Sequence, residues 1–203
     1  MKRFVVLSTL AALTLAASAQ AAPAPFSFDG AHTQVGFSIR HFFTKVPGQF
    51  TDFAGTLNFD EKSFAGSSVE FTIQAKSIST ANDRRDNHLR SADFFDVEKF
   101  PTLTFKSTKV TEPKDGKFQV MGDLTIHGVT KPVTLDCEFL GSGDTVIGGH
   151  SMGYRAGFEA TTTINRKDYG LLWNKTLDQG GTMLGDDVTI TLHVEAVREQ
   201  PAK

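Results

Sequence analysis

Cysteine and tryptophan are almost absent from this chain of 203 residues, and no apolar run is long enough to span a membrane. Cys137 is the only cysteine, which excludes an intramolecular disulfide framework, and no Cys-x-x-Cys-His motif for haem attachment is present. The longest apolar run, residues 4–17, has about 14 residues, whereas a membrane-spanning helix needs roughly 20. The formal net charge of -2 does not indicate a polyanionic partner such as nucleic acid. We therefore expect a soluble globular protein in which Cys137 is a small, buried, apolar side chain.

The first residues are typical of an export signal. Lys2 and Arg3 precede the apolar run, and residues 19–21 (Ala-Gln-Ala) supply the small-x-small pattern that signal peptidase cleaves. We predict a cleaved signal peptide over residues 1–21 and a secreted, periplasmic mature protein. No repeat, linker or low-complexity tract interrupts the remainder, so residues 22–203 are predicted to form a single domain.

Alternation of apolar and polar residues dominates the mature chain. In residues 69–76 every second side chain is apolar, and the side chains between them are Glu, Thr, Gln and Lys, which is typical of a strand with one buried face. About eight segments show this pattern. Only residues 83–92 are predicted to form a helix, with Asn82 or Asp83 as the N-cap. Turn-forming residues separate the strands at Pro47-Gly48, 62–66, 113–116, Gly141 to Gly143 and Gly180-Gly181.

Eight antiparallel strands can form either a closed barrel or a two-sheet sandwich. The segments near residues 33–41 and 153–165 are long, and long tilted strands suit a barrel better than a sandwich. We therefore predict an all-β fold, an eight-stranded antiparallel barrel with one short helix capping an end. The interior of a barrel of this size either fills with side chains or holds one small ligand.

Phenylalanine is abundant in the predicted interior, with 18 Phe against one Trp and two Tyr. Small residues such as Gly55, Gly122 and Ala160 share the inward face with these rings, which either interdigitate into a solid core or leave an elongated apolar cavity. The alternation alone does not decide between the two. A lining with almost no hydrogen-bonding group would receive only an aliphatic or isoprenoid chain. The inward-facing phenylalanines are Phe37, Phe53, Phe59, Phe71, Phe105, Phe118, Phe139 and Phe158.

We predict that a ligand would contact both strand residues and one long connection. The connection from residue 165 to 187 is too apolar for disorder, so we expect it to fold over a barrel mouth as a lid. His41 follows Ile39 in phase and is expected at the mouth beside Arg40, either holding a ligand head group or ending the strand with a hydrogen bond. The candidate ligand-binding residues are Phe37, Ile39, His41, Phe53, Phe59, Phe71, Ile73, Phe105, Phe118, Leu135, Phe158 and Trp173.

The segment 79–101 contains the side chains that nucleophilic hydrolysis requires, namely Ser91, His88 and Asp86. On a helix, however, His88 and Ser91 share a face while Asp86 points elsewhere, and no Gly-x-Ser-x-Gly elbow is present. The six histidines form no His-x-His pair and no His-Glu-x-x-His motif. We therefore predict a protein that is not an enzyme, with no catalytic or metal-binding residues. A hydrolase or isomerase that uses the His88/Asp86 region on a lipid is the alternative, and a purely structural role is a third possibility.

Short motifs follow one another in a fixed order along most of the chain. They are Asp29 with His32-Thr33, Val35-x-Phe37-x-Ile39-Arg40-His41, Gly48-x-Phe50, Phe53-x-Gly55, Ser67-Ser68-Val69, Ser77-Ile78-x-Thr80, residues 85–96, Phe100-Pro101, residues 124–131 and Asn165-Arg166-x-Asp168-Tyr169-Gly170. Together they resemble the YceI-like family of polyisoprenoid-binding proteins over about residues 26–197. Residues 85–96 and 124–131 are the most specific, and Tyr169 stands where the family often has Phe.

The resemblance implies a lipocalin-like barrel, export in many bacteria and a hydrophobic tunnel that holds a polyisoprenoid, an isoprenoid quinone or a fatty amide. Homodimers also occur in the family. We therefore favour a cavity over a solid core and predict an exported carrier that transports an amphiphilic lipid, with no cofactor other than that ligand. Delivery of a quinone to a membrane redox partner is a further hypothesis. The helix is expected to plug one barrel end with the stem of Arg85 and the side chains of Leu89 and Ala92.

Overall fold

The computed structural model describes residues 23–200, so the predicted signal peptide over residues 1–21 lies outside the described residues. The strands are β1 (Ala24–Phe28), β2 (Gln34–His41), β3 (Thr44–Phe50), β4 (Phe53–Phe59), β5 (Ser68–Gln74), β6 (Ile78–Ser79), β7 (Thr102–Val110), β8 (Lys117–Ile126), β9 (Val129–Ile147), β10 (His150–Asn165) and β11 (Leu184–Arg198). The helical elements are α1 (Asp83–Arg90) and three 3-10 turns, Phe64–Gly66, Ala75–Ser77 and Arg166–Tyr169. No helix in residues 23–200 is long and apolar enough to cross a membrane.

The strands form one antiparallel sheet that closes on itself. Neighbours run β1-β4-β5-β7-β8-β9-β10-β11, and β11 pairs again with β1. Three strands act as continuations of others beyond a bend: β2 continues β1, β3 continues β4, and β6 continues β5. The pairing shows this, because β2 lies between β11 and β3 just as β1 lies between β11 and β4. The predicted eight-stranded antiparallel barrel with one helix is therefore confirmed. The pairing of β1 with β11 removes the free sheet edge between them, whereas β6 pairs only with β3.

Successive strands run in opposite directions, so the connections fall alternately at two ends of the barrel. We call one of them the helix end, because it carries α1 together with the two-residue turn 42–43 and the connection 166–183. We call the other the hairpin end, because it carries the long β9–β10 hairpin together with the 3-10 turn Phe64–Gly66. The two ends are closed by different kinds of contact, as described below.

The short helix α1 begins and ends at local signals in the sequence. The side chain of Asn82 accepts a hydrogen bond from the backbone N–H of Arg85 at 3.0 Å, which satisfies one of the free donors in the first turn. Ser91 ends the helix by donating its backbone N–H to the carbonyl of His88. The predicted helix and its Asn82 cap are therefore confirmed, with the end at Arg90 rather than Ala92.

Two of the predicted turns are wrong. Pro47-Gly48 lies inside β3, where Gly48 makes room for a neighbouring ring, since a Cβ there would lie 2.3 Å from Cζ of Phe37. The turn between β2 and β3 is instead formed by residues 42–43. Gly141 to Gly143 lie inside β9, and the β9–β10 hairpin turns at Gly148-Gly149, both with positive φ.

Two apolar clusters occupy the interior and meet near the middle of the barrel. The cluster at the hairpin end is centred on Phe26, Phe59 and Phe64, and the cluster at the helix end includes Ile78 and Tyr169. Cys137 belongs to the first cluster and is buried, as predicted, and burial raises the pKa of its thiol to about 12. A thiol in such surroundings remains protonated near neutral pH, so it is not a reactive group.

Candidate functional site

An elongated apolar cavity of about 370 Å³ runs through the barrel from the hairpin end to the helix end. Its volume falls within the range of roughly 300 to 1,000 Å³ that ligand pockets occupy. Phe59, Phe118 and Phe158 line it towards the hairpin end, and Leu89 and Trp173 line it towards the helix end. Because the inward-facing residues leave this space open, the interior is not a solid core.

Eleven of the twelve candidate ligand-binding residues line this cavity. They are Phe37, Ile39, His41, Phe59, Phe71, Ile73, Phe105, Phe118, Leu135, Phe158 and Trp173. Phe53 is the exception and corrects the prediction, because its ring is stacked on that of Phe71 at 5.3 Å and does not reach the lining. That the eleven residues contact a ligand stays a prediction.

The lining also contains residues that the alternation did not indicate. Phe64, Phe94, Phe95, Arg85 and Arg166 all border the cavity. They lie on turns, on the helix or just after it, where the two-residue period of a strand does not fix the direction of a side chain. The pair Phe94-Phe95 directly after the predicted helix was the one available signal, because two adjacent rings at the end of a plug suit an interior position.

Aromatic packing closes the hairpin end. The ring of Phe64 contacts those of Phe59, Phe118 and Phe139 in edge-to-face geometry, with centroids 5.1 to 5.4 Å apart. The predicted inward-facing Phe139 therefore belongs to this seal and is not part of the cavity lining. Such offset ring pairs add about 0.5 to 1.5 kcal/mol each beyond the burial of their area. The hairpin end is thus sealed by apolar contacts.

The carboxylate of Glu112 positions the turn that carries Phe64. It accepts the backbone N–H groups of Ala65 and Phe64, each at 3.1 Å, and the hydroxyl of Ser63 at 3.0 Å. These hydrogen bonds, led by that from Ala65, hold the pKa of Glu112 below its usual range, because they favour the charged form. The turn is therefore fixed by a charged group outside the barrel.

Hydrogen bonds to the backbone fasten α1 over the helix end. Arg85 donates to the carbonyl of Thr80 at 2.8 Å and to its hydroxyl at 2.7 Å. The hydroxyl and backbone N–H of Thr80 in turn donate to the carboxylate of Asp86, which is buried. Arg90 donates to the carbonyls of Lys76 and Ile78 at 2.7 and 2.8 Å. The side chains of Arg85 and Leu89 border the cavity, as predicted for the plug, whereas Ala92 lies beyond the end of the helix, is exposed and does not reach the cavity.

The three side chains of the hydrolase alternative make no side-chain hydrogen bond with one another. Asp86 accepts from Thr80, whereas Nε2 of His88 lies 2.8 Å from a carboxylate oxygen of Asp93. The hydroxyl of Ser91 donates to the carbonyl of His88 at 2.7 Å, and therefore does not face its imidazole. No nucleophile, base and carboxylate are assembled in this segment.

Buried Arg166 holds the connection 166–183 against the helix end. Its guanidinium donates to the carbonyls of Gly185 and Trp173, each at 2.9 Å, and to that of Leu171. Burial lowers the pKa of Arg166, and Asp186, 3.5 Å from Nη2, opposes this effect. Leu171 and Trp173 consequently face the cavity, and the Trp173 ring packs edge-on against His88 with centroids 4.8 Å apart. This arrangement matches the predicted lid, although Leu172 points outward and is 63% exposed.

His41 and Arg40 occupy different environments at the helix end. His41 lines the cavity, and within residues 23–200 no protein group hydrogen-bonds to its imidazole. Arg40 is exposed and donates to the carbonyl of Phe42 at 3.0 Å. Of the predicted pair, only His41 therefore faces the cavity.

One cluster within residues 23–200 has the composition of a metal site, namely Asp29, His32 and Glu195. A guanidinium already balances its charge, because Arg155 pairs with Glu195 and lies 2.7 Å from a carboxylate oxygen of Asp29. This contact with Arg155 is the largest of those that hold the pKa of Asp29 well below its usual range. We interpret the cluster as an ion-pair network.

Comparison with known proteins places this barrel in a family. Residues 26–196 match the model of the YceI-like domain. The chain belongs to the YceI-like family. A UPF0312 protein of Vibrio parahaemolyticus is 37% identical to this YceI-like protein over 203 residues, covering 98% of this chain and 100% of the relative.

Two solved structures share the fold of this YceI-like protein. The crystal structure of the Campylobacter jejuni YceI protein has 34% identity and a TM-score of 0.68, covering 85% of this chain and 96% of that chain. A polyisoprenoid binding domain from Saccharophagus degradans, implicated in plant cell wall breakdown, has 14% identity and a TM-score of 0.59, covering 86% and 98%. At that identity the second likeness shows the fold alone.

Proposed function

We propose that this YceI-like protein is an exported carrier that holds one amphiphilic lipid in its barrel. The observation that carries the proposal is the elongated apolar cavity of about 370 Å³, whose charged lining residues all lie at the helix end. The ligand classes that fit are a polyisoprenoid, an isoprenoid quinone and a fatty amide. No cofactor other than this lipid is needed for such a role.

The lining selects the chain of the ligand. Between the two ends the side chains that face the cavity are almost entirely hydrocarbon, so a polar group placed there would lose its hydrogen bonds to water without replacement. Each buried methylene of a ligand chain contributes about 0.8 kcal/mol. Ten such groups would contribute roughly 8 kcal/mol before the cost of association, which is enough for stable retention.

The two ends of the cavity differ in polarity, and this difference sets the orientation of a bound amphiphile. The aromatic seal around Phe64 offers no hydrogen bond, whereas His41, Arg85, His88 and Arg166 border the helix end. The donor groups of Arg85 and Arg166 are largely engaged by backbone carbonyls. His41 is therefore the side chain with free capacity to hydrogen-bond a head group, and the tail extends towards the hairpin end.

Two observations bear on where the carrier works and on which chain it holds. The export-like N-terminus supports a carrier in the periplasm, and the shared fold with a polyisoprenoid binding domain supports an isoprenoid chain. A periplasmic carrier of isoprenoid quinone would deliver its ligand to a redox partner in a membrane. If the protein delivers a quinone, an organic extract of the purified protein should contain one.

Extraction of gently purified protein with organic solvent, followed by mass spectrometry, tests the proposal. We expect about one isoprenoid or long-chain lipid per chain. The variant Ala160→Phe places a ring in the cavity, whereas the matched variant Ala54→Phe places the same ring on the exposed face of β4. Retained lipid should fall at least tenfold in the first variant only. An empty extract from wild type, or equal lipid in both variants, would overturn the proposal.

A further inference from the structure

Two phenylalanines at the β2–β3 turn lie outside the core. Phe43 is fully exposed and Phe42 is 39% exposed, although phenylalanine is otherwise the main residue of the interior. Leu172, on the connection 166–183, is 63% exposed at the same end of the barrel. Exposed apolar side chains can mark an interaction site. Four more lie on the β9–β10 hairpin at the opposite end, namely Leu140, Val146, Ile147 and Met152, so the β2–β3 turn is distinguished by its aromatic rings and by the charges around it.

The backbone of this turn makes a bulky residue costly at its first position. Phe42 has a φ of 50°, and a two-residue hairpin turn with positive φ at its first position is usually occupied by Gly, Asn or Asp. A bulky residue in this region is strained. Neither ring contributes to the cavity lining. The ring of Phe42 packs edge-on against the imidazole of His41, with centroids 4.3 Å apart. The fully exposed ring of Phe43 has no such role in the fold, which points to a role on the surface.

The aromatic turn lies directly beside the polar end of the cavity. The backbone N–H of Phe42 donates to the carbonyl of Met183 at 2.9 Å, and His41 pairs with Leu184 across the sheet. Met183, Leu184 and His41 all line the cavity. Whatever binds the turn is therefore brought to the end of the barrel at which a ligand head group would lie.

Cations surround the turn. Arg40 and Lys45 face each other across the hairpin, and both are exposed. Exposed Lys175 is adjacent, because its carbonyl accepts the N–H of Met183 at 2.9 Å. None of these three side chains forms an ion pair within residues 23–200. The nearby carboxylate of Asp186 is bound by Lys167 at 2.9 Å, and Arg40 acts on it only at longer range. The chain as a whole has a formal net charge of -2, so this cationic collar is a local feature.

We infer that Phe42 and Phe43, with the collar of Arg40, Lys45 and Lys175, dock the barrel onto the surface of an anionic phospholipid bilayer. Aromatic rings partition into the headgroup region, and each basic residue near an anionic surface strengthens binding roughly fivefold. A second copy of the chain fits less well, because a symmetric contact would place the collar against itself and oppose like charges. The use of this surface for lipid exchange rests on the proposed function, but the docking itself does not.

Vesicle flotation with the mature protein tests this inference. Vesicles of phosphatidylglycerol with phosphatidylethanolamine supply the anionic surface, and phosphatidylcholine vesicles supply the neutral one. The variant Phe43→Ser removes the exposed ring, and Ile147→Ser is its matched control, because Ile147 is 70% exposed at the opposite, hairpin end. Lys45→Glu reverses one charge of the collar.

We expect wild type and Ile147→Ser to float with the anionic vesicles only. Phe43→Ser and Lys45→Glu should each bind at least tenfold more weakly, and binding should weaken as salt increases. Equal binding to both vesicle types, no binding, or the same loss in Ile147→Ser would overturn the inference. A dimer in light scattering that Phe43→Ser abolishes would overturn it in favour of a second copy. Organic extraction of the same samples distinguishes this inference from the proposed function. If the protein binds vesicles but its extract contains no lipid, the carrier function is refuted and membrane docking is not.

Discussion

The two ends of the barrel are closed in different ways. At the hairpin end the rings of Phe59, Phe64 and Phe139 pack against one another inside the wall. At the helix end α1 and the connection 166–183 are held by arginine side chains that donate to backbone carbonyls. Apolar packing of this kind yields only when the barrel unfolds, whereas a latch of a few hydrogen bonds can open locally. We therefore expect ligands to enter and leave at the helix end.

The largest effect is expected from Phe64→Ala. Removing this buried ring leaves a cavity in the seal and should lower the free energy of unfolding by about 3 to 5 kcal/mol. Urea denaturation measures the loss. The matched variant Phe94→Ala removes a buried ring that packs on Trp173 at the helix end. It should speed lipid release more than Phe64→Ala does, and the reverse order of release rates would contradict the assignment of the two ends.

Arg166→Ala is expected to have the next largest effect. The change removes the donors to three carbonyls, and we expect a loss of about 3 kcal/mol because buried carbonyls lose their partners. Hydrogen exchange should show faster exchange at residues 171–183 before the rest of the barrel. Arg166→Lys keeps the charge without the planar fork and should behave similarly. Uniform destabilisation with unchanged lipid release would show that Arg166 is not a latch.

A smaller effect is expected at Asp86. Asp86→Ala leaves the hydroxyl and backbone N–H of Thr80 without their acceptor and should cost about 1 to 3 kcal/mol. Asp86→Asn retains an accepting oxygen and should recover most of this loss in thermal unfolding. If Asp86 were instead a catalytic carboxylate, Asp86→Asn would preserve stability but remove activity. Turnover of a lipid substrate by wild type that Asp86→Asn abolishes in a stable protein would establish the enzymatic alternative.

The smallest effect is expected from the titration of Glu112. Its pKa is depressed in the folded protein, so its stabilisation is present above the unfolded value of about 4.3 and is lost as pH falls through the folded pKa. The melting temperature of wild type should therefore fall more steeply below about pH 4.3 than that of Glu112→Gln. Glu138→Gln, an exposed change on β9, controls for the loss of one surface charge. Parallel curves for wild type and Glu112→Gln would refute this prediction.

Sequence reasoning succeeded where the two-residue period of strands decides the outcome. The period assigned Phe37, Phe71 and Phe158 to the inside, and the structure places all three in the cavity lining. It does not act on turns and loops, so Phe64 and Arg166 were missed as lining residues. A solid core and a hollow one have the same alternation, so the cavity itself was favoured only by the family resemblance.

The misplaced turn near residue 47 shows a second physical limit. Pro47-Gly48 has the composition of a turn, but Gly48 is small because the ring of Phe37 lies over it. The actual turn is formed by Phe42 and Phe43, whose side chains oppose the positive φ at the first position. Residue composition predicts a turn only where Gly, Pro, Asn or Asp is present because the backbone of the turn requires it. Gly48 is present for a packing reason, and the actual turn contains two phenylalanines, so composition fails at both sites.

The close contact between Phe105 and Gly122 leaves only one of the two positions free to vary. A Cβ at Gly122 would lie 2.4 Å from Cζ of Phe105 and 2.5 Å from the backbone carbonyl oxygen of Lys106, so a smaller residue at 105 would still not admit a larger one at 122. Phe105 lines the cavity, whereas Gly122 does not. A smaller side chain at position 105 would therefore add its lost volume to the space for a ligand chain while the register of the barrel stays the same.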